Sequence, residues 1–412
     1  PDVKTYVYCF LNKFTELIIV CSTSGMTLTS NTFTPNEFNA RLSKAQILLQ
    51  KSDLDCLLVT NEADFRYFTG FLTRFWESPT RPWYLLIFAN YPPITIVPSI
   101  GVHLLKKTWS GEIRSWESPN VSDEGISLLQ NILSEFLPKN GRVGLPSGPE
   151  TLLRMPLVYF NQLRSSLDKL HFVSDCEIVK NLRLIKSEAE VKKISQAAAI
   201  AGRAFSRINE VAGSGVQLSK VFRDFQALCL DEGADWVSYL AGASEQGGYS
   251  DVISPAKDAP LVAGDVLMLD TGVVYDGYFC DYNRNFGVTE ISNRLSSSWD
   301  RLQEATEAGK KMLIPGNTAK QVFFAMNAIL QEGKKRKNSS GRLGHGLGMQ
   351  LTEWPSFSKY DETILQEGMV VTLEPIIDID DEKILVHEDN FLITANGPEQ
   401  ISPQCNPTIP VI

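Results

Sequence analysis

The chain has 412 residues, 43% of them hydrophobic and 21% charged, with a formal net charge of −9. That length exceeds one ordinary core, so two domains are expected, and the composition excludes large-scale disorder. The acidic balance argues against nucleic-acid binding, which needs cations to neutralise phosphates, and seven scattered cysteines without a C-x-x-C pair read as reduced thiols of a cytoplasmic protein, not as a disulfide framework or a thiolate metal site.

Residues 1–25 read as a leader or non-native extension, since the chain opens at Pro1 and the first methionine is Met26. The apolar run Leu17–Cys21 within it, flanked by Lys13 and Glu16, is too short to span a bilayer, so no membrane association is expected; a degraded signal peptide is the other reading. From about Phe38 helix and strand patterns alternate. Spacing predicts a helix over Ala40–Lys51 and strands at Cys56–Thr60, Trp83–Phe88 and Ile94–Val97, with a turn at Tyr91-Pro92-Pro93. A helix over Gly125–Phe136 and a strand at Arg142–Leu145 complete an α/β domain over 26–178. The remainder, 179–412, reads as an α+β domain. Helices are expected at Glu188–Val211, Leu218–Glu232, Ser298–Leu313 and Thr318–Gly333, with strands at Val266–Val288 and in short pieces over 369–394.

Acidic residues recur in the strand text. Asp270 and Asp281 flank Asp276-Gly277, a strong hairpin signal. A two-residue loop there sets Asp281 opposite Gly272, with Asp270 one diagonal step away; sliding the loop back by one pairs Asp270 with Asp281 directly. Either register puts both carboxylates on one face, where they repel unless protons or a cation intervene. Gly344-His345-Gly346 can bring an imidazole close to another backbone because its neighbours lack side chains. Glu374 closes the apolar run Met369–Leu373, an expensive place for an unpaired carboxylate. Glu388 follows in Val386-His387-Glu388-Asp389. A three-residue loop at Asp380-Asp381-Glu382 sets Glu374 opposite Glu388, a two-residue loop does not, and the pattern leaves the choice open. Four carboxylates and one imidazole suit Mn²⁺, Co²⁺, Fe²⁺ or Zn²⁺, and their charge suits two ions clamping a bridging hydroxide.

In order and context these segments resemble the "pita-bread" metallopeptidase family M24, which includes methionine aminopeptidase, aminopeptidase P and prolidase. Tyr67-Phe68-Thr69-Gly70-Phe71 and Leu182-Arg183-Leu184-Ile185-Lys186-Ser187 resemble it too. The resemblance implies a creatinase-type N-terminal domain, then a pita-bread catalytic domain, usually in a homodimer. It implies that Asp270 binds one ion, His345 and Glu374 the other, that Asp281 and Glu388 bridge, and that Glu374 is the catalytic proton shuttle.

Two departures bear on the substrate. Proline-specific members carry a histidine where this chain has Asp251-Val252-Ile253-Ser254-Pro255, and another where it has Thr352 in Thr352-Glu353-Trp354-Pro355. Only four histidines exist: His103 and His171 lie in the first domain, and His387 points to the strand face opposite Glu388. Trp76, Arg81, Tyr249 and Thr352 are the candidate substrate-binding residues. The segment Arg74–Trp83 reads as a loop packed by its own rings or as a lid whose arginine grips a substrate carboxylate. The basic run Lys334–Lys337 reads as a helix end and solvated loop. The expected function is a dinuclear metal-dependent exopeptidase on short, possibly Xaa-Pro, peptides. The alternatives are a metal-dependent hydrolase or lyase of a small non-peptide substrate, and a binding module that has lost catalysis.

Overall fold

In the computed structural model, residues 33–78, 81–332 and 341–412 are described. The leader over 1–25, Met26, Pro79-Thr80 and the run Lys334–Lys337 lie outside them. The first sheet comprises β1 (Cys56–Val59), β2 (Tyr84–Phe88), β3 (Ile94–Pro98), β4 (Glu112–Trp116), β5 (Arg142–Leu145) and β6 (His171–Ser174), in the order β4-β3-β2-β1-β5-β6. Every residue of β1, β2 and β3 is buried, which is why their text is continuously apolar rather than alternating. Both edge strands, β4 and β6, escaped the sequence reading because half-exposed edges carry mixed side chains. Helices Pro35–Lys51, Glu62–Thr69, Ser99–Leu105, Ile126–Phe136 and Leu157–Ser166 accompany this sheet. The first starts ahead of the expected Ala40 because Thr34 caps it, accepting from Glu37 N at 3.4 Å.

After helix Ile178–Leu184, helix Glu188–Ser206 begins at a capping box of Ser187 and Glu190. Helix Leu218–Asp231 follows, then β7 (Trp236–Gln246), β8 (Asp265–Tyr275), β9 (Tyr278–Phe279) and β10 (Tyr282–Gly287). Helices Asn293–Lys310 and Ala319–Gln331 precede β11 (His345–Gly346), β12 (Glu353–Ser356), β13 (Val370–Leu373), β14 (Ile376–Asp378), β15 (Ile384–Val386), β16 (Asp389–Thr394) and β17 (Gly397–Gln400). Strands β10-β8-β7 form one sheet with β9 on β8; β12-β11-β13-β16-β17 form a second, and β14-β15 a small ribbon. Among the described residues no helix is long and apolar enough to cross a membrane.

The two halves pack on each other. Tyr67 and Phe68 share a buried apolar cluster with Tyr278, Leu347, Met349 and Val370. Beside it runs a chain of buried ions. Arg183 pairs with Asp64 at 2.6 Å and with Glu353, which also takes Lys186 at 3.1 Å. Burial alone would raise the Glu353 pKa, but Arg183 and Lys186 more than offset this and hold it at about 2. Its contribution to stability is therefore complete above its ordinary value near 4.5 and is lost as pH falls from there towards 2. Arg183→Met takes the ion-pair partner from buried Asp64 and leaves Glu353 with Lys186 alone, and should cost about 3–5 kcal/mol, measured by urea unfolding at pH 7. An unchanged unfolding midpoint would show that the network carries no stability.

Candidate metal centre

The first hairpin takes the two-residue loop. Asp276 and Gly277 both have positive φ, 46° and 76°, the conformation an Asp-Gly turn favours. Pairing runs Tyr275↔Tyr278 and Val274↔Phe279, then resumes in the same register as Tyr282↔Thr271 and Asn283↔Asp270. That register carries Asp281 to Gly272, so Asp270 and Asp281 are diagonal neighbours on one face rather than a direct pair. Asn390 fixes the Asp281 backbone from both sides: its Oδ1 accepts from Asp281 N at 3.1 Å, and its amide donates to Asp281 O.

The second hairpin takes the three-residue loop, the alternative that the pattern had left open. Ile376↔Val386 pairs in the same register as Leu373↔Asp389, so Glu374 stands opposite Glu388. His345 enters on β11, where its N donates to Thr372 Oγ1 at 3.1 Å. A Cβ on Gly344 would strike the Thr372 carbonyl, and one on Gly346 would strike the Trp354 carbonyl. Only glycine on each side lets the imidazole lie this deep.

His345 Nδ1 lies 2.8 Å from Gly346 O. A carbonyl only accepts, so Nδ1 carries the proton and Nε2 is left with a bare lone pair. That lone pair faces Asp281 Oδ2 at 3.4 Å. Two acceptors turned towards each other at this distance are the arrangement that a cation resolves. Asp281, His345 and Glu388 each offer a donor atom within 4.8 Å of the others. Asp270 Oδ1 and Glu388 Oε1 are buried without a hydrogen-bond partner, and Glu374 Oε1 has no aligned donor.

Burial, with repulsion from Asp281 and Glu374, pushes the Asp270 carboxyl well above the usual range. Burial does the same at Asp281, and burial plus Asp281 and Asp270 at Glu388. Glu374 is raised by burial, though His345 and Arg342 pull the other way. Burial lowers His345, favouring the neutral ring that a metal requires. Arg342 sets a guanidinium against three of these acids, Asp281, Glu374 and Glu388, with its Nε 3.2 Å from Glu374 Oε1. The donor set fits divalent ions, which would supply the missing positive charge.

Sequence reasoning passed over Arg342, which lies in glycine-flanked loop text with no periodicity. It ion-pairs with Glu374 and donates to Thr352 Oγ1 at 3.5 Å, so it joins the two positions where acid chemistry and substrate selection were expected. Tyr239 was also missed. It sits among the same carboxylates, which with burial push its phenol up, and donates to Val252 O at 3.5 Å.

The candidate substrate residues are dispersed. Trp76 is buried and lines a cavity of about 450 Å³ together with Arg74, Trp236, Phe279, Gln350 and Leu351. Leu351 packs against Gly272, the residue facing Asp281, so this cavity and the carboxylates share a wall. Thr352 follows Leu351 directly. Arg81 is not among the cavity's lining residues; its guanidinium lies over Phe75 at 5.7 Å. Tyr249 is fully buried, its hydroxyl bridging Asn285 Oδ1 at 3.1 Å and Val386 N at 2.7 Å, so it braces the sheets and presents no surface to a substrate. The Arg74–Trp83 segment is packed by its own rings, Trp76 on Trp83 at 5.6 Å, and is held by Arg154, which donates to the carbonyls of Trp76, Ser78 and Arg81.

His387 lies between β15 and β16 and is fully buried. It pairs with Asp389 at 3.0 Å and packs edge-on against Trp299. Burial would lower its pKa, but the Asp389 carboxylate more than offsets that and holds it at about 9.

Residues 41–185 match the Creatinase/Prolidase N-terminal domain, and residues 192–395 match the metallopeptidase family M24. The chain belongs to family M24. It is a metal-dependent hydrolase of the peptidase class, with a pita-bread catalytic domain behind a creatinase-type first domain. The Xaa-Pro dipeptidase of Pyrococcus horikoshii is 26% identical over 366 residues, covering 88% of this chain and 97% of that relative. The solved prolidase from Pyrococcus horikoshii OT3 superposes with a TM-score of 0.78 at 24% identity, over 90% of this chain and all of its own. Dipeptidase PepE from Mycobacterium ulcerans superposes with a TM-score of 0.80 at 24% identity, over 92% of this chain and 99% of its own.

Proposed function

We propose that this chain hydrolyses short peptides with two divalent ions held by Asp270, Asp281, His345, Glu374 and Glu388, and that it is weak on Xaa-Pro dipeptides. In this reading Asp270 serves one ion, His345 and Glu374 the other, and Asp281 and Glu388 both. The observation that carries it is the bare His345 Nε2 facing Asp281 Oδ2 at 3.4 Å, beside unpartnered oxygens of Asp270 and Glu388. Ions of the Mn²⁺, Co²⁺, Fe²⁺ or Zn²⁺ class would polarise the scissile carbonyl and acidify water there.

The chain's own residues do the rest. Glu374 accepts the proton of the attacking water and returns it to the leaving amine. Arg342 orients that carboxylate from 3.2 Å and offers a guanidinium to negative charge developing nearby. The cavity behind Leu351 receives the substrate side chain, with Trp76 and Trp236 as apolar walls. Functioning as a homodimer belongs to this reading, by analogy with the family.

A second reading, a metal-dependent hydrolase or lyase of a small non-peptide molecule, draws on one observation. The Thr352 hydroxyl, at the position where the resemblance to proline-specific members implies a histidine, is already engaged by Arg342. A screen of the metal-reconstituted protein against dipeptides and small amides decides between them. The first reading expects turnover of dipeptides that scales with metal up to two ions per chain. Turnover confined to non-peptide amides would overturn it in favour of the second.

A further inference from the structure

Cysteine spacing in the sequence argued against any thiolate metal site, yet the fold brings Cys405 to a buried imidazole and carboxylate. Its Sγ lies 3.9 Å from His387 Nε2 and 3.4 Å from Gln303 Oε1. His387 Nε2 in turn lies 3.0 Å from Asp389 Oδ2. The donor atoms of His387, Asp389 and Cys405 are all within 4.8 Å of one another. Donors placed about 2.0–2.3 Å from a tetrahedral ion stand at comparable mutual separations. From these distances we propose that Cys405, His387, Asp389 and Gln303 form a second cation site, selective for a thiophilic ion such as Zn²⁺ or Cd²⁺, and that filling it inhibits hydrolysis.

Three features support a built site rather than a chance contact. Cys405 lines a cavity of about 240 Å³ with Arg284, Trp299 and Pro403, which gives an ion a route to the thiol. Among the described residues the Gln303 side-chain amide nitrogen is buried without a partner, and its Oε1 accepts a hydrogen bond from the thiol. Asp389 is anchored through its other oxygen, Oδ1, to Arg284 at 2.9 Å and Ser402 at 2.7 Å, leaving Oδ2 to face His387. An arriving ion must displace the proton shared by His387 and Asp389. Oxygen-preferring ions such as Mn²⁺ gain little in that exchange, whereas Zn²⁺ and Cd²⁺ gain thiolate and imidazole bonds.

Inhibition follows from the chain itself. Glu388 lies between His387 and Asp389, and this link between β15 and β16 is held by His387 N, which donates to Pro375 O at 3.2 Å. Drawing both neighbours onto one ion displaces the carboxylate between them. The inhibition rests on Glu388 being a ligand of the hydrolytic centre; the cation site does not.

The test is a Cd²⁺ titration of the Mn²⁺-loaded enzyme, reading the ultraviolet thiolate-to-cadmium band, bound cadmium, retained manganese and activity together. One further ion per chain should bind with manganese retained, the band rising as activity falls at least tenfold. Cys405→Ala should abolish the band and weaken inhibition at least tenfold while leaving basal activity unchanged. Gln303→Leu, which keeps the thiol, should weaken cadmium binding severalfold. A band that persists in Cys405→Ala, or no further bound ion, would overturn the site. A Cys405-dependent band with full activity would overturn the inhibition alone. A protein with no hydrolytic activity would refute the functional reading yet leave the band and stoichiometry to decide the cation site.

Discussion

Replacing Glu388 by Gln or Asp281 by Asn will remove metal and activity together. Each carboxylate is buried, raised in pKa by burial, and placed beside other acids whose repulsion a bound cation would relieve. A neutral amide of the same shape keeps the packing but gives up one anionic donor, which in the proposed arrangement serves both ions. Removing a residue that merely supports a ligand typically costs about 10–100-fold in affinity or activity. Loss of a shared ligand should therefore exceed about 100-fold in kcat, with bound metal falling below two ions per chain. The variants should fold at least as well as the parent when no metal is present, because each relieves repulsion within the acid cluster. Either variant turning over at the parental rate at limiting metal would refute the bridging assignment.

Xaa-Pro dipeptides will be poor substrates, and Thr352→His will not rescue them. The hydroxyl of Thr352 cannot provide the charge that a histidine offers to a developing oxyanion. Loss of one such donor typically costs about 10²–10³ in rate. The second histidine is also absent, its stretch of chain represented here by Val252, whose carbonyl accepts from Tyr239. An imidazole at 352 would moreover meet the Arg342 guanidinium that now donates to the threonine, and two cations there oppose each other. Measuring kcat/KM for Xaa-Pro dipeptides with Mn²⁺ or Co²⁺ checks this. Values of about 10⁵ M⁻¹s⁻¹ or more, ordinary for an enzyme on its own substrate, would show that Arg342 or Tyr239 has replaced the histidines outright.

Much of the candidate centre was legible before any coordinates because its signals are local. Asp276-Gly277 specifies a tight turn, the turn specifies the register, and the register puts Asp270 and Asp281 on one face. An acid at the end of an apolar strand is costly when unpaired, so Glu374 marks itself in the text, whereas a histidine between glycines gains meaning only beside the acids. The buried strands β1, β2 and β3 were legible for the same reason. The edge strands β4 and β6, and the half-buried β7, were not, since strands that meet solvent lose the pattern by which strands are read.

Other features belong to tertiary structure alone. The Glu374–Glu388 pairing turned on whether one loop held two residues or three, and packing chose three. Tyr249 looked available to a substrate, but the sheets close over its hydroxyl. Arg342 reaches Thr352 and Glu374, and Cys405 reaches His387 and Gln303, across sequence separations that carry no periodic signal. Composition and spacing pointed to the acidic and imidazole candidates for the hydrolytic centre, since that reading depends on charge, side-chain bulk and strand register within a few positions. Which distant side chains then approach within bonding distance depends on how the helices and sheets pack, and that was decided only by the fold.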